Sequence, residues 1–301
     1  MSSDTYRTTS VPVRGGLLAV AEWGPSDPAA PVVLAVHGIT ASHMAWSLFA
    51  THLPNVRVVA PDLRGRGRSR TLPSPYGMRQ HAEDLTALLD HLGVARATVV
   101  GHSMGAFVSV AFAAAHPDRV DGLLLVDGGI PIDLPAGMDI DTMIATALGP
   151  AAARLSTLFA SKEAYREFWK AHPSFADRWS PSIEAYVDYD LVDAAGASGA
   201  PGMLKPATAI EAMTEDSRDL YGGAGIPEAL EKLPPHTTLL TAPRGLMNGA
   251  PLYSTTLVER WRAKLPGLAV TEISDVNHYT IIMAEPGAGR VAAEALRVRT
   301  G

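Results

Sequence analysis

Residues 97–106 read Ala97-Thr98-Val99-Val100-Gly101-His102-Ser103-Met104-Gly105-Ala106, an apolar run followed by Gly-x-Ser-x-Gly and an Ala-rich helical pattern. A sharp strand-to-helix turn of this kind pushes its serine out above the edge of a sheet, and the small Gly101 and Gly105 let neighbouring backbone pass closely. We therefore predict that Ser103 is a nucleophile. Because the first N–H groups of a helix lack partners, the Met104 N–H is a predicted oxyanion donor. The alternative is that Ser103 only caps the helix.

Apolar, strand-like runs lie on both sides of this stretch and alternate with helical patterns. The predicted strands are 17–22, 32–36, 56–60, 97–100, 122–126, 237–241 and 268–273, and the predicted helices are 44–52, 76–92, 103–115, 254–264 and 288–298. Most of the strands from 56–60 onward are nearly continuous apolar runs, as in central parallel strands covered on both faces. The pattern predicts an α/β fold with a mostly parallel sheet.

Residues 130–233 interrupt the alternation of strands and helices. Aromatic residues and methionines are dispersed there among helix-like segments, with Gly/Pro breaks at 149–150, 199–202 and 222–225. We predict a helical cap over 130–233, inserted into a core made of 1–129 and 234–301. The cap would cover the site and supply the substrate pocket.

The loop after the second predicted strand reads His37-Gly38-Ile39-Thr40. In a fold with a serine elbow, the second oxyanion donor comes from this loop. Gly38 would let the loop bend over the serine, so the Ile39 N–H is the predicted second donor. His37 is expected to brace the loop rather than to act as a base, because geometry decides which histidine can be the base.

The general base is expected on a loop after the last strand. Of the ten histidines, only His278 follows the final predicted strand and precedes the final helix. Its place last in the chain order of nucleophile, acid and histidine fits a serine elbow of this kind. We therefore predict His278 as the base, against the alternative of a histidine that packs a loop.

The acid that orients the base has two candidate positions. A carboxylate after strand 237–241 would be the commoner arrangement, but that loop carries Asn248 instead. Asparagine can orient an imidazole but cannot stabilise an imidazolium. Asp127, at the end of strand 122–126, is therefore favoured, and Asn248 remains the alternative. Asp62 and Asp275 are expected to be local turn formers.

Composition narrows the class of protein. The formal net charge is −6, and the 25 basic residues form no extended face, which argues against a nucleic-acid partner. Without cysteine the chain has neither a thiol nucleophile nor disulfides. No histidine spacing indicates a metal, so we expect no cofactor and full activity in chelator.

The first ten residues do not resemble a secretory signal, and no apolar run could span a membrane. We therefore expect a cytoplasmic protein, with a homodimer left open.

These motifs together resemble the α/β-hydrolase superfamily over nearly the whole chain. The points of resemblance are His37-Gly38, the run 61–69 (Pro-Asp-Leu-Arg-Gly-Arg-Gly-Arg-Ser), the 101–105 elbow, and Asn277-His278-Tyr279. The chain is similar to cap-bearing serine esterases that also resemble epoxide hydrolases and haloalkane dehalogenases. The resemblance implies an eight-stranded, mostly parallel sheet flanked by helices. Some members carry their acid where Asp127 stands. The serine elbow favours esterase chemistry, since epoxide hydrolases and dehalogenases use an aspartate nucleophile.

The expected function is hydrolysis of a carboxylic ester or similar acyl bond of a small substrate. Aromatic residues of the predicted cap suggest an apolar or aromatic substrate, although most of them are expected simply to pack the cap helices: Phe159, Phe168, Trp169, Phe175, Trp179 and Tyr186. The alternatives are other uses of the same triad, by a thioesterase, a carbon–carbon bond hydrolase, a lyase or a perhydrolase. A ligand receptor with low turnover is the alternative from another class.

Overall fold

The computed structural model describes residues 6–132, 142, 153–194, 201–223 and 225–300. Its main sheet has eight strands in the order β1-β2-β4-β3-β5-β6-β9-β10. These are β1 (Tyr6–Val13), β2 (Gly16–Trp23), β3 (Val32–Val36), β4 (Arg57–Pro61), β5 (Ala97–His102), β6 (Val120–Val126), β9 (Thr237–Thr241) and β10 (Ala269–Glu272). Strands β3 to β6, β9 and β10 are parallel, whereas β2 pairs antiparallel with both β1 and β4. The prediction of an eight-stranded, mostly parallel sheet is confirmed.

Helices follow the strands much as the pattern predicts. They are α1 (Ser47–Thr51), α2 (Met78–His91), α3 (Met104–Ala115), α4 (Lys162–Lys170), α5 (Pro181–Tyr189), α6 (Ile210–Gly222), α7 (Gly225–Leu230), α8 (Thr255–Lys264), α9 (Thr280–Met283) and α10 (Gly287–Thr300). The predicted helix 44–52 is divided, since a 3-10 turn at His43–Trp46 precedes α1. No helix built from the described residues is long and apolar enough to cross a membrane.

The central strands are apolar throughout because both faces of the sheet are covered. Successive side chains of a strand point to opposite faces. Leu34 and Val36 of β3 therefore pack on the side of α2 and α3, whereas Val33 and Ala35 pack on the side of α1 and α10. Burial on both faces holds the carboxyl ends of β3, β5 and β6 side by side, at the edge where the predicted site residues lie.

Strand β1 was not among the predicted strands. It pairs with β2 over its full length through the tight turn after Val13, yet Val11 is its one fully buried residue. An edge strand that faces water on most positions carries too few apolar residues to show a period of two.

The described part of the predicted cap holds α4, α5, α6, α7 and a small antiparallel pair, β7 (Leu191–Asp193) with β8 (Leu204–Pro206). Ser161 and Ser180 cap α4 and α5, since their hydroxyl oxygens accept the N–H groups of Ala164 and Ile183. The β7–β8 pair adds to the purely helical prediction. The predicted break at 149–150, residues 199 and 200 of the break at 199–202, and residue 224 of the break at 222–225 lie outside the described residues, and the boundaries 130–233 remain a prediction.

Asp62 is more than the local turn former expected from the sequence. Its carboxylate accepts hydrogen bonds from the ring and backbone of His43 and, at 2.6 Å, from the hydroxyl of Tyr189 in α5; only the bond from the Arg68 N–H is local. Burial alone would raise the pKa of Asp62, but His43 outweighs it and holds the pKa at about 2. Asp62 therefore joins the core loops to the predicted cap as an ionised group.

Candidate active site

The turn between β5 and α3 holds Ser103 in a backbone conformation that few residues adopt. Its φ is 56° and its ψ is −126°, outside the regions favoured by L-residues. A Cβ on Gly105 would lie 2.1 Å from the Val36 carbonyl oxygen, and one on Gly101 would lie 2.4 Å from the Gly105 oxygen. The two glycines are therefore needed for close packing, as predicted from the motif.

The structure brings His278 and Asp127 together at the carboxyl edge of the sheet. The Nδ1 of His278 lies 2.7 Å from Asp127 Oδ2, and both side chains are buried. The other carboxylate oxygen of Asp127 accepts the Ala242 N–H at 3.1 Å, which fixes the carboxylate in one orientation. Asp127 directly follows β6, and His278 lies on the loop that follows β10, so the sheet sets the position of both.

Among the described residues, Asn248 is hydrogen-bonded to Asn277 and not to His278. Its side-chain oxygen accepts a hydrogen bond from Asn277 Nδ2 at 3.2 Å. Asn277 in turn accepts the N–H groups of Tyr279 and Thr280 and donates to the carbonyl of Ser174, so it shapes the loop that carries His278. In the sequence, Asn277 stands out only as part of the motif with His278 and Tyr279, and nothing there indicates this structural role.

Asp275, the other carboxylate near the base in sequence, points away from the site. It has a φ of 63°, as expected for a turn former, and its carboxylate lies 2.9 Å from the Arg178 guanidinium at the surface. It therefore makes no contact that would orient His278.

Gly38 lies directly against Ser103, the predicted nucleophile. A Cβ at this position would be 3.1 Å from Ser103 Cβ and 3.5 Å from Ser103 Oγ. Within the described residues, no backbone oxygen accepts the N–H of Ile39 or of Met104. Both predicted oxyanion donors therefore lack a backbone partner among the described residues.

His37 braces the loop that carries Gly38 and Ile39. Its Nδ1 donates to the Gly38 carbonyl at 2.8 Å, and its Nε2 accepts the Leu63 N–H at 2.9 Å. Burial lowers the pKa of His37 to about 4, so the ring stays neutral and keeps one donor and one acceptor. Its lone pair is occupied, which leaves no capacity for a general base.

His102 also supports the loop that carries His278, a contact the sequence did not indicate. Its Nε2 donates to the backbone carbonyl of His278 at 2.7 Å, and the two rings pack with centroids 4.7 Å apart. Burial and the nearby His278 lower the pKa of His102 well below its usual value, so the ring is neutral.

Comparisons with known proteins decide the family. The family model described as "alpha/beta hydrolase fold" matches residues 31–191, just over half of the chain. The chain belongs to the alpha/beta hydrolase fold family.

Several relatives and structures are similar to this alpha/beta hydrolase. Lipase LipV of Mycobacterium tuberculosis is 37% identical over 178 residues, which cover 58% of this chain and 62% of the lipase. A putative carbamate hydrolase, RutD of a Caulobacter species, is 38% identical over 38% of this chain and 42% of its own length. The match therefore spans less than two thirds of either relative. The structure of E-2-(acetamidomethylene)succinate hydrolase gives a TM-score of 0.76 at 21% identity, covering 98% of this chain and all of that one, a likeness that shows the fold alone.

A cavity of about 360 Å³ connects the elbow of this alpha/beta hydrolase to its predicted cap. Ser103, Met104, Asp127 and His278 line one end, together with Ile39. Of the aromatic residues singled out in the sequence, Phe168, Trp169 and Tyr186 line the cavity, whereas Phe159 and Phe175 are buried among other side chains. Trp169 and Tyr186 are also buried in the same cluster of side chains as Phe159 and Phe175, so lining the cavity and packing do not exclude each other. No group of three or more residues suited to a metal occurs in the described ranges.

Proposed function

We propose that this protein is a serine hydrolase that cleaves a carboxylic ester or similar acyl bond of a small substrate. The observation that carries the proposal is the 2.7 Å contact between His278 Nδ1 and Asp127 Oδ2, in the cavity that Ser103 also lines. A lipase and a putative carbamate hydrolase among the relatives favour the same class of reaction.

The proposed mechanism begins with the tautomer of His278. Since Asp127 accepts the proton on Nδ1, the Nε2 atom carries the lone pair and takes the Ser103 proton as the oxygen attacks the acyl carbon. The oxyanion is held by the Ile39 and Met104 N–H groups, and Asp127 stabilises the imidazolium. His278 then returns the proton to the leaving alcohol, and water releases the acyl group by the same base.

The segment 130–233 is proposed to act as a cap that supplies one wall of the substrate pocket. Phe168, Trp169 and Tyr186 of this segment face the same cavity as the nucleophile. A wall of this composition excludes water from the reacting atoms and strengthens the oxyanion contacts.

A fluorophosphonate probe tests the proposal directly. We expect folded protein to gain one covalent label on Ser103, found by peptide mass spectrometry, and both Ser103→Ala and heat-denatured protein to gain none. Folded protein that stays unlabelled would favour a ligand receptor of the same fold.

A substrate panel separates the acyl-transfer alternatives. We expect p-nitrophenyl esters to be turned over, and turnover to be lost in Ser103→Ala. A protein that cleaves β-diketones but no ester would be a carbon–carbon bond hydrolase, and one that prefers thioesters would be a thioesterase.

A further inference from the structure

A buried charged side chain lies in the wall of the cavity. Arg154 is 3% exposed and lines the cavity with its guanidinium 5.1 Å from the ring centre of Trp169. Its Nη1 donates to Asp190 Oδ2 at 2.5 Å and to the hydroxyl of Tyr165. Buried arginines are rare unless they are paired, and here the pairing with Asp190 fixes the guanidinium in place.

One edge of this guanidinium remains open. Nη2 reaches only the Thr40 carbonyl, at 3.4 Å, and Nε has no acceptor within the described part of the chain. The Nε–Nη2 edge presents two parallel N–H groups, the geometry that binds a carboxylate through both oxygens. An arginine held by Asp190 on one side and left free on this edge is therefore arranged to hold a ligand.

The neighbouring polar groups are also hydrogen-bond donors. His172 Nδ1 accepts the Ser174 N–H at 3.2 Å, so the proton of the neutral ring lies on Nε2. Burial and Arg154 lower the pKa of His172, whereas burial raises the pKa of both Tyr186 and Tyr279. Both phenols therefore keep their protons, and within the described residues neither hydroxyl has a hydrogen-bond partner.

The donor side chains lie around the ring of Trp169, and one of them, Tyr279, lies beside His278. The rings of His172, Tyr186 and Tyr279 are centred 5.5, 6.5 and 6.2 Å from that of Trp169. The Tyr279 ring is 5.6 Å from the ring of His278. Thr40, whose carbonyl faces Arg154, directly follows Ile39, the proposed oxyanion donor. The cluster of donors thus adjoins both the base and the oxyanion loop.

We propose that Arg154, His172, Tyr186 and Tyr279 form a carboxylate subsite, so that the preferred substrate is an ester with an apolar body that ends in a carboxylate. The inference rests on the proposed esterase function and names its substrate class. Asp190 balances the charge of Arg154, so the substrate carboxylate is held by directed hydrogen bonds from a charged donor. Such bonds contribute more than bonds between neutral groups.

Matched pairs of esters test the inference. Each pair contains a mono-p-nitrophenyl dicarboxylate and the same compound with its free carboxyl methylated, over succinate, adipate and suberate chains. We expect wild-type kcat/KM to be about tenfold to hundredfold higher for the free acid at one or more lengths, the range for hydrogen bonds to a charged group. In Arg154→Met, the ratio of kcat/KM for the free acid to kcat/KM for its methyl ester should fall to near one. Arg166→Met, which removes a cap arginine paired with Asp188 at the surface, should keep the wild-type ratio.

A second variant decides the outcome if Arg154→Met fails to fold with Asp190 unpaired. Tyr186→Phe removes one hydroxyl and should lower the acid-to-methyl-ester ratio severalfold. A wild-type ratio near one at every length, with Ser103 still labelled by the fluorophosphonate, would overturn the subsite alone. The subsite would also be overturned if folded Arg154→Met kept the wild-type ratio of acid to methyl ester. If Arg154→Met does not fold, the same result in Tyr186→Phe would overturn it. Absence of both labelling and turnover would instead overturn the proposed esterase function.

Discussion

Gly105 shows how little space the elbow leaves at a single residue. A Cβ there would lie 2.1 Å from the Val36 carbonyl oxygen and 2.5 Å from that of His37, and backbone atoms of a buried strand cannot move aside easily. We expect Gly105→Ala to lower the free energy of unfolding by about 1–3 kcal/mol, the usual cost of overpacking. Urea denaturation measures the change. Gly267→Ala is the matched control, since a Cβ there meets nothing within 4 Å, and equal stability of the two variants would show that the elbow is loosely packed.

The acid that orients His278 can be tested by substitution. Asp127 contacts His278, whereas Asn248 contacts Asn277. Asp127→Asn removes the charge that stabilises the imidazolium and allows the wrong tautomer, so we expect kcat for a p-nitrophenyl ester to fall by about 10⁴-fold. Asn248→Ala should change kcat far less, because it touches the loop and not the imidazole. The assignment would be wrong if Asn248→Ala lost the activity that Asp127→Asn retained.

Single residues were predictable from sequence where a motif or the chain order identifies them. Ser103 follows from the elbow, and His278 from its place after the last strand. Asp127 could be favoured but not separated from Asn248, because that choice depends on which side chain reaches the imidazole. Arg154 belongs to no motif, and its contacts with Asp190 and Thr40 arise only when distant segments fold together.

At the scale of elements, His37 ties the end of β3 to the start of the loop after β4. Burial lowers its pKa to about 4, compared with about 6.5 in an unfolded chain. Between these pH values the unfolded chain binds a proton that the folded protein does not, so the free energy of unfolding falls as the pH drops. The contribution of neutral His37 to the free energy of unfolding is complete above about pH 6.5. About 3 kcal/mol of this contribution is lost by pH 4.

The measurement is urea denaturation from pH 7 to pH 4. We expect His37→Gln to reduce the loss of stability across this range, since glutamine does not titrate while its amide can still accept the Leu63 N–H. His91→Gln, at an exposed position of α2, is the control and should leave the slope unchanged. A slope in His37→Gln equal to that of wild type would contradict the account of His37 as a buried neutral brace.

Elements were predictable where burial imposes a pattern. The central strands and α2, α3, α8 and α10 appear within a few residues of their predicted limits because both faces of the sheet are covered. Strand β1 lacks that pattern at the edge of the sheet. The β7–β8 pair consists of strands of three residues each, too short for an alternation to be recognised.

In the molecule as a whole, the proposed triad requires segments far apart in sequence to meet at one edge of the sheet. The order of strands places β5, β6, β9 and β10 next to one another, so Ser103 after β5, Asp127 after β6 and His278 after β10 lie at the same edge. The resemblance predicted this convergence from the order of motifs alone. The shape of the cavity and its donor-lined end could not be predicted in this way, because they depend on how the predicted cap packs over that edge.

The most direct test of the central claim is a double-mutant comparison of Ser103 and His278 in ester hydrolysis. Residues that act as one catalytic unit are strongly non-additive, because removing either one already removes the whole step. We predict that Ser103→Ala, His278→Ala and the double variant all show nearly the same residual kcat. If each single variant kept part of the activity and the two losses multiplied in the double variant, the hydroxyl and the imidazole would act independently, and the proposed triad would be contradicted.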